Sequence, residues 1–313
     1  MQKTILILIF IAHLLSCRTS EEEENTNIVT RNDNGIILNI PLSGSLQNPA
    51  FSVNDKSIVF TRFVNGYNTE PAEIYKFNLT TKLLTLLVSD GSGNINLPGS
   101  TWNNGKIVFS STREPHDEIY IIDENEQSGN EIKITNRTNN VAYEPTLSPD
   151  GEWIVFESHL LNVEANGVIT KYKIDGSSAY IELTAQGDDN RQPNWSPSGN
   201  KILYQKKENN IWNIWIMNTD GTNKFQVTSN LGNCTDASFS ADGQFIVFSS
   251  DFEVTIANIY KISINGGNPT KLTNFNGYDG ATSISHNSTK LIFESSNIAP
   301  DESTGTKIVL LSL

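Results

Sequence analysis

The sequence predicts an all-β protein, a six-bladed β-propeller of four-stranded blades closed by an N-terminal strand that completes the last blade. Three observations carry this expectation. Short β-branched and aromatic runs recur along the 313 residues, separated by Gly-, Asn-, Asp- and Ser-rich turns, the pattern of many short strands. Six stretches align with one another at intervals of 44 to 51 residues, the period of a four-stranded blade. The sixth unit stops after its third strand, and a strand-like run near residue 36 can supply the fourth.

The aligned stretches are 48–60, 99–109, 144–156, 192–204, 236–248 and 281–293, with anchors Phe51, Trp102, Leu147, Trp195, Phe239 and Ile284. Each begins with an innermost strand ending at its anchor. A turn follows, with pairs that tolerate positive φ, such as Asp150-Gly151 and Asp242-Gly243. The second strand is a triplet such as Ile-Val-Phe, Ile-Leu-Tyr or Leu-Ile-Phe. The third carries pairs such as Ile74-Tyr75, Ile119-Tyr120 and Ile259-Tyr260. The outer strand ends in Ile134-Thr135, Leu183-Thr184, Val227-Thr228 or Leu272-Thr273. In three units the outer strand precedes the next anchor by 12 or 13 residues. Counting back from Phe51 by that distance lands within Ile36–Ile40, the expected closing strand. Ring closure by the two chain ends removes the open edges of a repeat array. Turn chemistry and strand patterning agree at every junction, which is the mark of a specified fold.

Charged residues are 18% of the chain and the formal net charge is −13. An acidic surface without a Lys/Arg stripe repels phosphate backbones, which argues against nucleic acid as a partner.

The N-terminus reads as an address. Lys3 precedes an apolar run from Thr4 to Leu15, too short to span a bilayer and suited to a signal-peptide core. Leu14-Leu15-Ser16-Cys17 resembles the bacterial lipobox, which implies cleavage before Cys17 and its acylation, palmitate included. Several acyl chains give durable anchoring where one does not. Arg18, rather than Asp, after the cysteine implies an outer-membrane lipoprotein, facing the periplasm or the cell surface. Glu21 to Glu24 resemble the surface-export run of Bacteroidetes lipoproteins. The expected organisation is a signal peptide at 1–16, a lipidated cysteine and flexible acidic linker at 17–34, and the propeller at 35–313. Cys234 is then left without a partner and reads as a small buried hydrophobe.

The pattern P-x-W-S-P-D-G, followed by an aliphatic-aromatic strand, Ile-Tyr and a terminal Leu-Thr, resembles the TolB-type, WD-like propeller repeat. It covers about residues 35–313 and is clearest over 192–228. The resemblance implies a partner-peptide site in the channel mouth. TolB itself carries an N-terminal α/β domain ahead of its propeller, for which residues 1–34 leave no room. Related repeats occur in prolyl oligopeptidase-type peptidases and in oligogalacturonate lyases. The former need a hydrolase domain with a G-x-S-x-G elbow, which is missing here.

No catalytic residue, metal site or cofactor is assigned from the sequence. His13, His116, His159 and His286 show no ligand spacing, and His286 falls at an exposed turn. Asp188-Asp189-Asn190 and Asp90-Gly91-Ser92-Gly93 match no complete calcium loop. The expected binding rim is the column three residues before the anchors and its neighbours: Asn48, Tyr143, Glu144, Arg191, Gln192, Asp236 and Asp279. It is polar and acidic, with an Arg and a Tyr of the kind that anchor recognition sites. The function expected is a monomeric, lipid-anchored envelope propeller that binds or scaffolds a protein or peptide without catalysis. The alternative is a glycan-binding or lyase-like propeller in polysaccharide uptake.

Overall fold

In the computed structural model, which describes residues 31–89, 91, 95–97, 102–163 and 165–313, the chain forms the six antiparallel sheets of a β-propeller, with no helix among the described residues. The signal peptide, Cys17, the acidic run and most of the Asp90–Gly93 stretch lie outside the described residues. Blade four shows the plan. Its innermost strand Asp189–Trp195 leads to Lys201–Glu208, Ile211–Asn218 and a short outer strand, Phe225–Gln226. The innermost strands of blades one, three, five and six are Ser45–Phe51, Asn140–Leu147, Cys234–Phe239 and Tyr278–Ile284. In blade two it is broken into Ile95–Asn96 and Trp102–Asn103, both paired with Lys106–Ser111.

The apolar triplets work because both faces of a blade are covered, so alternate side chains meet opposite neighbours. Ile58 and Phe60 pack toward the last blade with Ile292 and Ile308, while Val59 packs toward blade two with Ile107 and Phe109. Ile246 and Phe248 likewise face blade four, and Val247 faces blade six. The core is therefore a ring of seams between blades.

The recurring punctuation has local causes. After the anchor, a serine hydroxyl accepts from the backbone N–H five residues on, as Ser148 does from Trp153 and Ser196 from Lys201. Gly151, Gly199 and Gly243 occupy the left-handed corner at φ 75°, 72° and 67°. Blades one and six, which lack the Asp-Gly pair, put Asp55 and Ser288 there at φ 57° and 54°, conformations that cost more for side chains with a Cβ. The terminal threonines have one shared task. Thr135, Thr184, Thr228 and Thr273 are buried, and their hydroxyls accept from the N–H of Ile119, Ile169, Ile214 and Ile259. Each fills a ladder position where the outer strand has already ended.

The N-terminal strand does close the ring. Ile36–Ile37 pairs with the last strand, Lys307–Ser312, with Ile36 opposite Leu310 and Ile37 opposite Val309. Packing begins before the expected boundary at residue 35. Arg31 makes a two-pronged contact with Asp279 at 2.7 and 2.9 Å, a second with Asp33, and a bond to Ser295. Its guanidinium lies 4.5 Å from the centre of the Phe275 ring and 5.0 Å from that of Phe293. The end of the expected linker is thus a buried clasp.

Candidate functional site

The innermost strands are not straight. In five blades the register slips by a bulge. The residue at the slip takes a left-handed conformation: Asn48 at φ 52°, Glu144 at 46°, Gln192 at 47°, Asp236 at 53° and Ala281 at 48°. These are the residues of the expected rim column; its blade-two member, Gly99, is outside the described residues. Bulges re-aim side chains, and non-glycine residues at positive φ gather where function needs them.

The slip draws the side chains into a network around the axis. The Gln192 amide donates to Asp236 Oδ1 at 2.9 Å and to Glu144 Oε1 at 3.4 Å, while its Oε1 accepts from the Asp236 N–H at 3.0 Å. Asn48 donates its backbone N–H to Glu294 Oε2 and its amide to Asn96, which in turn donates to the Tyr143 hydroxyl. Tyr67 and Tyr278 donate their hydroxyls to Glu294 Oε1 at 3.2 and 3.3 Å. Arg191 is held by Asp189 at 2.9 Å and lies 3.8 Å from Glu157. The space between the ring residues is a cavity of about 30 Å³.

The electrostatics follow from burial. Desolvation, followed by repulsion from Asp236, pushes Glu294 up to about 8 and Glu144 up to about 7. Glu157 is raised well above the usual carboxylate range by burial and then by Glu144. Four carboxyl groups thus share a poorly hydrated space in which Arg191 is the adjacent cation.

Of the expected rim residues, the structure gathers Asn48, Tyr143, Glu144, Gln192 and Asp236 into this ring, with Arg191 beside Glu157. Asp279 is elsewhere. It is fully buried beneath Arg31, because the residue five before the anchor faces the neighbouring blade, as Leu46, Ala142 and Cys234 do in their blades. The sequence reading missed Glu157, Glu294, Tyr67 and Tyr278. The first two carry a signal: they follow Ile-Val-Phe and Leu-Ile-Phe directly, a column that reads Thr61, Ser110, Glu157, Gln205, Ser249 and Glu294 and is buried throughout. Each of these residues stands opposite one in the innermost strand, Tyr143 against Glu157 and Gly280 against Glu294.

Other candidates resolve into structural roles. Asp189 binds Arg191 and the Gly167 N–H, and Asp188 meets Lys206 at 3.2 Å. Burial pushes the Cys234 thiol up to about 11, the direction opposite to that of an activated nucleophile. His286 is exposed and contacts Asp55, which also accepts from the His286 and Asn287 N–H groups across the seam of the last and first blades. Among the described residues, no cluster of three or more His, Cys, Asp or Glu side chains is arranged to hold a metal.

Fold and site together define a class, a six-bladed propeller whose axial channel is narrowed by buried and half-buried carboxyl groups. A family model described as the TolB beta propeller domain matches residues 41–215, more than half of the chain, and the chain belongs to that family. The Tol-Pal system protein TolB of Francisella tularensis subsp. holarctica is 28% identical over 192 residues, which are 61% of this chain and 42% of that protein. The chain therefore matches less than half of that relative's length. TolB from Acinetobacter baumannii superposes with a TM-score of 0.64 at 16% identity, over 83% of this chain and 64% of that one. An oligogalacturonate lyase in complex with manganese superposes with a TM-score of 0.57 at 12% identity, over 86% and 77%. At such identities the likeness shows the fold, and function has to be argued from the site.

Proposed function

We propose that the protein is a lipid-anchored envelope propeller that binds a protein or peptide without catalysis, and that the partner inserts a basic side chain into the polar ring. The observation that carries this reading is the excess of acid around the channel, with Glu157 and Glu294 buried and Glu144 and Asp236 half-buried. Glu144, Glu157, Asp236 and Glu294 crowd one space, and Arg191, the cation beside them, is already engaged by Asp189. Burial holds Glu144, Glu157 and Glu294 toward the neutral acid or leaves them awaiting a countercharge, and an ammonium or guanidinium from a partner supplies one. Membership of the TolB propeller family supports binding over chemistry, since its Francisella relative is named for a protein system. The proposed anchor is Cys17, with the propeller held at the outer membrane.

The test is affinity capture from native membranes, combined with protease shaving of intact cells to report which side the propeller faces. Glu144→Gln, Arg191→Gln and Asp236→Asn together should abolish recovery of the partner seen with the unaltered chain. Undiminished recovery would remove the ring from the proposal. Capture should also strengthen as pH rises from about 6 to about 8.5, because Glu144 and Glu294 gain charge across that range.

A further inference from the structure

The axial channel has a second chamber. Beyond the ring, the turn-proximal ends of the innermost strands enclose a cavity of about 290 Å³, close to the lower end of the range for small-molecule sites. The anchors form its floor: Phe51, Trp195 and Phe239 are 2%, 8% and 7% exposed. Its wall is rich in amides and hydroxyls, Asn103 and Ser283 among them. No Asp, Glu, Lys or Arg lines it among the described residues, and its histidine, His286, is engaged by Asp55.

Asn194 is the telling residue. It borders both the ring cavity and this chamber, is 7% exposed, and makes no side-chain hydrogen bond among the described residues. Carboxamides inside proteins are almost always paired, and the Asn194 amide is not among the fully buried orphan atoms, so the channel space reaches it. A carboxamide offers a donor and an acceptor side by side, and at the border of the two cavities neither is taken by a side chain or backbone group of the described residues. The Asn103 amide donates to the Leu147 carbonyl at 2.8 Å, which leaves its oxygen for an incoming donor.

We propose that this chamber is a binding site for a neutral sugar carrying an acetamido group. The acetamide matches the Asn194 carboxamide donor to acceptor, its methyl and the apolar face of the ring meet the aromatic floor, and the hydroxyls meet Asn103 and Ser283. Among the described residues no cationic side chain lines the chamber, which selects against uronates. The site adjoins the ring proposed to take a basic side chain, with Asn194 bordering both, and neither reading requires the other.

The probe is N,N′-diacetylchitobiose, followed by saturation-transfer NMR and by the thermal shift of the full chain in detergent. Saturation transfer to the acetamido methyls and a higher melting temperature are expected. Asn194→Leu should weaken the apparent affinity about tenfold or more, the loss expected for one buried hydrogen-bonded pair. If Asn194→Leu gives no cooperative melt, Asn194→Ser, which removes the carboxamide without adding bulk, carries the same expectation. Glu144→Gln, at the ring, should leave sugar binding unchanged, so that failure here and failure at the ring are read apart. The proposal is overturned by absent transfer, by equal binding of the variants altered at Asn194, or by digalacturonate binding as well as the neutral sugar.

Discussion

Glu294 sits 1% exposed, with three donors around it and Asp236 near by. Its fold-imposed preference for the neutral acid has a definite sign. The folded protein holds its proton up to about 8, whereas the ordinary value is 4.5. Between those values the native state binds a proton that the unfolded chain releases, so stability declines as pH rises through that window. Glu144 acts the same way up to about 7. Glu294→Gln mimics the neutral acid and should flatten the decline. Calorimetry is expected to give similar melting temperatures near pH 5 and a gain of about 2–4 °C for the variant near pH 8.5. No gain at the higher pH would mean that the carboxyl is hydrated rather than buried. The ring was only half legible in the sequence. Its first column was found by counting back from the anchors. Its second, which holds Glu157 and Glu294, follows the apolar triplets and was read only as strand. Asp279 was misplaced because strand alternation turns it toward the preceding blade, into the seam where Arg31 meets it.

At the level of the element, the repeat grammar proved readable because each of its signals has one backbone task. The serine and glycine shape the first turn, the triplet covers both faces of a blade, and the threonine finishes the third strand. Thr228 is the clearest case, with its hydroxyl 2.8 Å from the Ile214 nitrogen and no exposure to solvent. Thr228→Val keeps the shape and leaves that N–H unpaired, at a cost of about 1–2 kcal/mol. Urea titration should report the loss, and Thr228→Ser should recover part of it. Equal stability of the valine variant would show that the hydroxyl does not complete the ladder. The bulges were not legible, because Asn, Glu, Gln, Asp and Ala share no propensity that marks a left-handed residue. What puts them there is the need to turn a strand around the axis, a demand of the assembled ring rather than of any one blade.

The whole molecule depends on a seam made by distant residues. The closing strand was visible in the sequence through spacing alone, but the clasp was not, since nothing local links Arg31 to Asp279. Arg31→Gln leaves Asp279 buried without its cation and should cost about 3 kcal/mol or more. For a domain of this size that lowers the melting temperature by roughly 6–10 °C. Adding Asp279→Asn should restore part of the loss, because the two changes act on one pair. A single variant as stable as the parent would make the clasp ornamental.

The pairing of Ile36–Ile37 with Lys307–Ser312 also sets an order of assembly. Blades one to five are each built from one continuous stretch of chain and can form from local contacts. The sixth joins strands about 270 residues apart, so it carries the largest loop-closure cost. Until it closes, the array is an open arc with an unpaired β-edge at each end, exposed to wrong pairing.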